Sequence, residues 1–216
     1  MKIYGIDVSF PTNKVRYAAN AMGLSYEFVH IMPFSPEAEA PDYRAKHPVG
    51  KVPVLEEDDG FSVFESNAII RYLAVTHNSE LYPADPRQRA VIDQWMDFAS
   101  IHVGGAIARV FWNTIGVKFM NEEPDTNSLA AGHGFLDRFL PALDAQLADS
   151  AYMAGDALSL ADFAALAPLD PADIIGVGLS QYANLSRWRA DMQSRDWYQV
   201  DRSFGQQLIS GLLAQS

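Results

Sequence analysis

The chain contains no cysteine, which excludes disulfides, thiolate metal ligands and a cysteine nucleophile together. Redox chemistry through a protein thiol is impossible here. Positive charge is also scarce: 16 Lys and Arg stand against 27 Asp and Glu, and the net charge of −11 argues against nonspecific binding to nucleic acid or to an anionic membrane. No apolar run approaches the roughly 20 residues that cross a bilayer. The start, Met1-Lys2-Ile3-Tyr4-Gly5-Ile6-Asp7, lacks a long apolar region before its first acid and does not read as a secretory signal. A soluble cytoplasmic protein is expected. The five histidines, His30, His47, His77, His102 and His133, are isolated from one another and show no ligand spacing, so no metal is expected.

What the chain does have is length and an ordinary apolar content. Its 216 residues, 49% of them hydrophobic, can bury one large core or two modest ones. Lys2 to Ile6 reads as a strand, Pro11 to about Met22 as a helix with proline at its first position and Gly23 as its stop. Tyr26 to Ile31 alternates like a second strand, and Pro36 to Lys46 reads as a short helix. The order βαβα followed by ββα is an α/β layer whose last strands are antiparallel.

The most informative stretch is His47-Pro48-Val49-Gly50-Lys51-Val52-Pro53-Val54-Leu55, continued by Gly60-Phe61-Ser62-Val63-Phe64-Glu65-Ser66-Asn67-Ala68-Ile69-Ile70-Arg71-Tyr72. It reads as a turn, a strand, a hairpin at Glu56 to Gly60, a second strand and a helix opening at Glu65-Ser66. Pro53 cannot donate to a ladder, so it is expected at the first residue of its strand or as the cis isomer. Either geometry turns the main chain of Val52 outward, where an extended peptide can pair with it. The free N–H groups and positive dipole end of the following helix suit a carboxylate, and Glu65 suits a nearby ammonium. Together they fit an amino-acid zwitterion. The plainer alternative is that Glu65 and Ser66 only cap the helix.

The order Pro-x-Gly-Lys-Val-Pro-x-Leu, hairpin, Phe-Glu-Ser-x-Ala-Ile-x-x-Tyr-Leu resembles the glutathione-binding half of the cytosolic glutathione transferases, a thioredoxin-like domain. The resemblance implies that Val52, beside a cis Pro53, pairs with the cysteinyl backbone of glutathione. By the same resemblance Glu65 and Ser66 hold its γ-glutamyl end, and Lys51 is a polar contact.

The loop after the first strand carries Val8-Ser9-Phe10-Pro11-Thr12. Thioredoxin-like redox proteins place a Cys-x-x-Cys pair here, so with Ser9 and Thr12 at its ends disulfide exchange is excluded while thiol recognition is not. Alone, Ser9 reads as an N-cap. Lys2-Ile3-Tyr4-Gly5, Ser9, Thr12 and Val15 are similar to the start of phi-class and, less closely, theta-class transferases, where that serine is catalytic. The chain thus resembles a phi-like, serine-type transferase of bacterial style. Ser9 would hydrogen-bond the thiolate of glutathione, which raises the reactive fraction of a thiol whose free pKa is about 8.5. The rival is Tyr4, since alpha, mu and pi classes use a tyrosine near the end of the first strand. One departure stands out: the loop Ser35-Pro36-Glu37-Ala38-Glu39-Ala40 before Pro41 has no basic residue where phi enzymes bind the glycine carboxylate of glutathione, leaving Arg44, Lys46 or His47 as substitutes. Val49 stands where phi enzymes often carry an aromatic dimer key.

His77 to Asp85 reads as a linker, followed by a helix start at Asp85-Pro86-Arg87-Gln88. Val91, Trp95, Phe98, Ile107, Phe111, Ile115 and Phe119 recur at helical spacing to about Met120, and a further helix is expected from Ser128 to Leu147. Ser159-Leu160-Ala161-Asp162 is a capping box with a folding role, similar to that of the transferase helical domain. The fold class expected is an α/β thioredoxin-like domain over residues 1–76, a linker over 77–86 and an all-α helical domain over 87–216. Phe10, Phe34, Phe111, Trp112 and Phe119 are candidates for an acceptor pocket between the two, although aromatics at helical spacing more often pack in cores. By resemblance the chain is a homodimeric transferase that takes glutathione as co-substrate, needs no cofactor and attacks a small hydrophobic electrophile. A glutathione-dependent dehalogenase, etherase or isomerase, or a noncatalytic module like that of elongation factor gamma subunits, uses the same fold.

Overall fold

A computed structural model describes residues 1–213. Strand β1 (Lys2–Gly5) runs parallel to β2 (Glu27–His30), and the crossover between them is helix α1 (Phe10–Ala21), as a parallel pair requires. Strands β3 (Val54–Glu56) and β4 (Ser62–Phe64) add antiparallel on the other side of β1, giving the order β2-β1-β3-β4. The hairpin between them closes at Gly60, whose φ of +90° suits a residue without a side chain. Ile3 and Leu55 face each other across β1 and β3, and both are fully buried with Val15 of α1 and Ile69, Ile70 and Leu73 of helix α4 (Ser66–Thr76). One apolar face of the sheet therefore fixes both α1 and α4, the two helices that the site needs.

The single helix expected over Pro36 to Lys46 is instead two short turns, α2 (Pro36–Glu39) and α3 (Pro41–Arg44). Ala40 between them is extended, with φ −62° and ψ 143°, because the ring of Pro41 disfavours helical backbone at the residue before it. The peptide between Val52 and Pro53 is cis.

Beyond the linker the chain is helical. Asp85 caps α5 (Pro86–Asp97) by accepting from the N–H groups of Arg87 and Gln88 at 3.0 and 2.9 Å. The long pattern that runs to Met120 is not one regular helix: wide turns at Phe98–Val103 and Trp112–Gly116 separate α5, α6 (Gly104–Phe111) and α7 (Val117–Met120). Gly116 admits the Trp112 ring, which lies where a β-carbon would stand, 2.1 Å from Cε3. Helix α8 (Thr126–Asp149) packs on α6, and α9 (Leu160–Leu169), buried at every residue, packs against α1 and α5. Helices α10 (Ala183–Gln193) and α11 (Ser203–Leu213) complete the described chain.

Two polar clusters hold the helical part together and join it to α1. Asp162, 1% exposed, accepts from the N–H groups of Met153 and Ser159, each at 2.9 Å, from Ser159 Oγ at 3.1 Å and from Trp188 Nε1 at 3.1 Å. Burial pushes its carboxyl up to about 6 despite those donors, since removing a carboxylate from water outweighs them. At the junction of α1 with the helical part, Asp170 accepts from Tyr17 at 2.5 Å and from Tyr198 at 3.0 Å, and Arg202 donates to both phenols.

Candidate active site

Between the sheet layer and the helices lies a cavity of about 350 Å³. Its first wall is Val52, Pro53, Lys51 and His47, its second is Glu65 and Ser66 at the start of α4, and its floor is Phe10, Pro11 and Lys14 of α1. Ser100, Gly104, Gly105 and Ala108 close it from the helical side. Residues separated by more than fifty positions in sequence thus converge here, and they include every position singled out for peptide recognition: Lys51, Val52, Pro53, Glu65 and Ser66.

Glu65 holds an unusual backbone, φ 70° and ψ 112°, which costs a side-chain-bearing residue on the order of 1–3 kcal/mol. Its carboxylate is exposed and makes no cap hydrogen bond to α4, so capping does not account for it. Ser66 is 8% exposed and accepts a hydrogen bond from Lys14 Nζ at 3.1 Å. Its own proton is thereby left to donate elsewhere.

Ser9 is the N-cap of α1, with φ −77° and ψ 115°, and its hydroxyl accepts from Thr12 N–H at 3.4 Å. That bond is long, and it uses only the acceptor side of the hydroxyl; among the described residues Ser9 Oγ donates to nothing. Ser9 does not itself line the cavity, but its neighbours Phe10 and Pro11 do. Tyr4 is engaged elsewhere. Its phenol donates to Glu56 Oε2 at 2.5 Å, and Glu56 also takes Lys46 Nζ at 2.5 Å. Burial, then the bond to Glu56, pushes the Tyr4 phenol up to about 12.

A second cavity of about 140 Å³ opens on the other side of Phe10, lined by Phe111, Val8, Ile174 and Ile209 with Asp7, Asn13 and Arg202 among its polar residues. Of the five candidate acceptor aromatics, Phe10 and Phe111 line this space. Phe34 and Trp112, 68% and 46% exposed, meet edge to face at 6.3 Å. Phe34, Trp112 and Phe119 line neither cavity.

Two family models match in tandem: that for the glutathione S-transferase N-terminal domain over residues 3–81, and that for the C-terminal domain over residues 107–196. Glutathione S-transferase 4 of Zea mays is 30% identical over 163 residues, spanning 75% of this chain and 73% of the relative. The chain belongs to the glutathione S-transferase family. Among solved structures, a glutathione S-transferase domain-containing protein of Marinobacter aquaeolei VT8 superimposes with a TM-score of 0.84 at 29% identity, covering 92% of this chain and 100% of that one. Elongation factor 1-gamma 2 of Oryza sativa subsp. japonica is 33% identical over 150 residues, 69% of this chain but 35% of that protein.

Within this glutathione S-transferase, three basic residues line the large cavity among the described residues, and sequence reasoning missed one of them. Of the expected substitutes for a basic loop, Arg44 pairs with Glu39 at 3.5 Å and Lys46 with Glu56, so neither is free. His47 is 4% exposed and reaches the cavity wall, with burial holding its imidazole below the usual range. Lys51 is exposed there. The third is Lys14, 5% exposed. Its signal in the sequence was position: on α1 it shares a stripe with Pro11 and Ala18, three residues before and four after, so a charge was placed on a buried face.

Proposed function

We propose that the chain binds glutathione in the larger cavity as an extended peptide, its cysteinyl backbone paired with Val52 beside Pro53 and Lys51, and its γ-glutamyl end held by Glu65 and Ser66. The Ser9 hydroxyl donates to the sulfur and keeps it ionised. The thiolate then attacks a hydrophobic electrophile held in the smaller cavity by Phe10 and Phe111. With an aryl halide, a carbon–sulfur bond forms and halide leaves with the bonding electrons, while the serine proton stays on oxygen. Glutathione is a co-substrate, no further cofactor is involved, and the working unit is a cytoplasmic, phi-like homodimer.

The observation that carries this reading is convergence. An exposed main-chain edge, a free carboxylate and a helix-start hydroxyl meet in one cavity whose floor is the helix that Ser9 caps. The same main-chain edge and Glu65-Ser66 pair serve a noncatalytic binding module too, so turnover distinguishes the two. Calorimetry with glutathione, followed by a conjugation assay with a standard aryl halide, tests it; binding without turnover on any electrophile would reduce the protein to a carrier, and absence of binding would overturn the reading.

A further inference from the structure

We propose that Lys14 is a positioning residue of the glutathione site: it holds the Ser66 hydroxyl with its proton turned to the cavity and sets a positive charge behind the γ-glutamyl carboxylate. The inference rests on the glutathione reading above and adds to it a cation at the γ-glutamyl end of the peptide.

The geometry is specific. Lys14 Nζ donates to Ser66 Oγ at 3.1 Å, to Asn67 Oδ1 at 2.9 Å and to Ser100 Oγ at 3.3 Å, so all three ammonium protons are used. Those partners come from α4 and from the wide turn Phe98–Val103 of the helical part, and Asn67 in turn donates to Ser100 at 3.0 Å. A serine oxygen that accepts from an ammonium orients its own hydrogen away from it. On Ser66 the direction left open is the cavity, where a carboxylate is expected. No carboxylate bonds to Lys14 among the described residues: its partners are all neutral, and a buried charge without a counter-ion is costly. The charges of Glu65 and Arg71 act on it, and Arg71 is turned to Asp93 at 2.8 Å and Asp97 at 3.5 Å. His47 and Lys51 are the other basic groups on the cavity wall. An anionic ligand group at Ser66 would supply the missing counter-charge.

Burial lowers Lys14 to about 8, with Glu65 acting in the opposite direction. Its charge is therefore present at neutral pH and lost on mild alkalinisation, which separates a charge role from simple packing. Glutathione affinity is to be measured by calorimetry between about pH 7 and pH 9 for wild type, Lys14→Gln, Lys14→Met and Lys14→Arg. At about pH 7, Lys14→Met and Lys14→Gln should bind roughly tenfold more weakly, as expected for loss of a charge-assisted bond. The ratio of wild-type to Gln affinity should then fall toward one by about pH 9, where about nine-tenths of the lysines are neutral. Titration of the ligand's own groups is common to all variants and cancels in that ratio. Lys14→Arg, which cannot deprotonate, should restore binding and keep it at alkaline pH. If Lys14→Met does not fold, Lys14→Gln, which retains hydrogen bonding without charge, decides. Equal affinity of Lys14→Gln and wild type, or a ratio that does not move with pH, overturns the role of Lys14 and leaves the glutathione reading standing. A wild-type chain that binds no glutathione overturns both.

Discussion

Replacing Ser9 by alanine removes one hydroxyl that makes one weak structural bond, so its effects on stability and on chemistry can be separated. The cap bond to Thr12 N–H is 3.4 Å long, and its loss should cost no more than about 1 kcal/mol. A hydrogen bond from the same hydroxyl to a bound thiolate is of the charged kind, roughly 1.5–3 kcal/mol. At about 1.4 kcal/mol per unit, that lowers the bound thiol by about 1–2 pKa units from its free value near 8.5. Below that pKa the thiolate fraction of the variant should fall about 10- to 100-fold, and turnover with it. Glutathione binding should remain largely intact, because the contacts proposed for the main chain and Glu65-Ser66 do not involve Ser9. The sign with pH is fixed: a donor to the anion lowers the thiol pKa, so the rate profile of Ser9→Ala moves to higher pH and the deficit shrinks in alkali. The assay is aryl halide conjugation across pH, with thiolate absorbance of the binary complex as a direct reading. A variant with unchanged turnover and an unmoved profile would refute the role of Ser9.

Three further outcomes follow from named contacts. Tyr4→Phe should leave turnover within about twofold of wild type, because the phenol is spent on Glu56 and pushed up to about 12; a loss matching that of Ser9→Ala would move thiol activation to Tyr4. Glu65→Gly should gain up to about 1 kcal/mol in denaturant unfolding by relieving the positive φ while weakening glutathione binding by about tenfold or more, and a variant that loses both stability and affinity would refute the strain argument. Asp162→Asn should destabilise the fold by roughly 2–4 kcal/mol, since its amide NH2 turns toward groups that themselves donate. The folded carboxyl stands near 6 against 3.8 ordinarily, so its proton-linked contribution is complete below about pH 4 and is lost as pH rises through about 6. Unfolding measured across that window should show the gap between wild type and Asp162→Asn narrowing with pH; widening would mean the buried acid is ionised throughout.

Much of this was legible in the residues, for physical reasons that differ from element to element. Pro53 announced a break in donor pattern, Gly60 a hairpin, Asp85-Pro86 a helix start and Ser159-Asp162 a capping box, because each depends on chemistry within four residues. The two wide turns after Asp97 were not legible, since helical periodicity survives one extra residue per turn while the hydrogen-bond pattern does not. Ala40–Pro41 was readable in principle, and the apolar pattern across Pro36 to Lys46 masked it. Lys14 was legible only as a charge on a helix stripe. Its partners Ser66, Asn67 and Ser100 lie more than fifty residues away, and only the packing of α4 and the helical part onto α1 shows what that charge meets. Likewise nothing local tells that Phe10 and Phe111 share a cavity while Phe34, Trp112 and Phe119 do not line it.

Among the described residues, Phe10 alone lines both cavities. Every other lining side chain belongs to one chamber or to the other, so mutations that reshape the chamber proposed for the electrophile leave the chamber proposed for the peptide as it was. A single ring stands between the two chambers, and it marks position 10 as the place where exchanging one bulky ring for a smaller side chain should merge the two compartments.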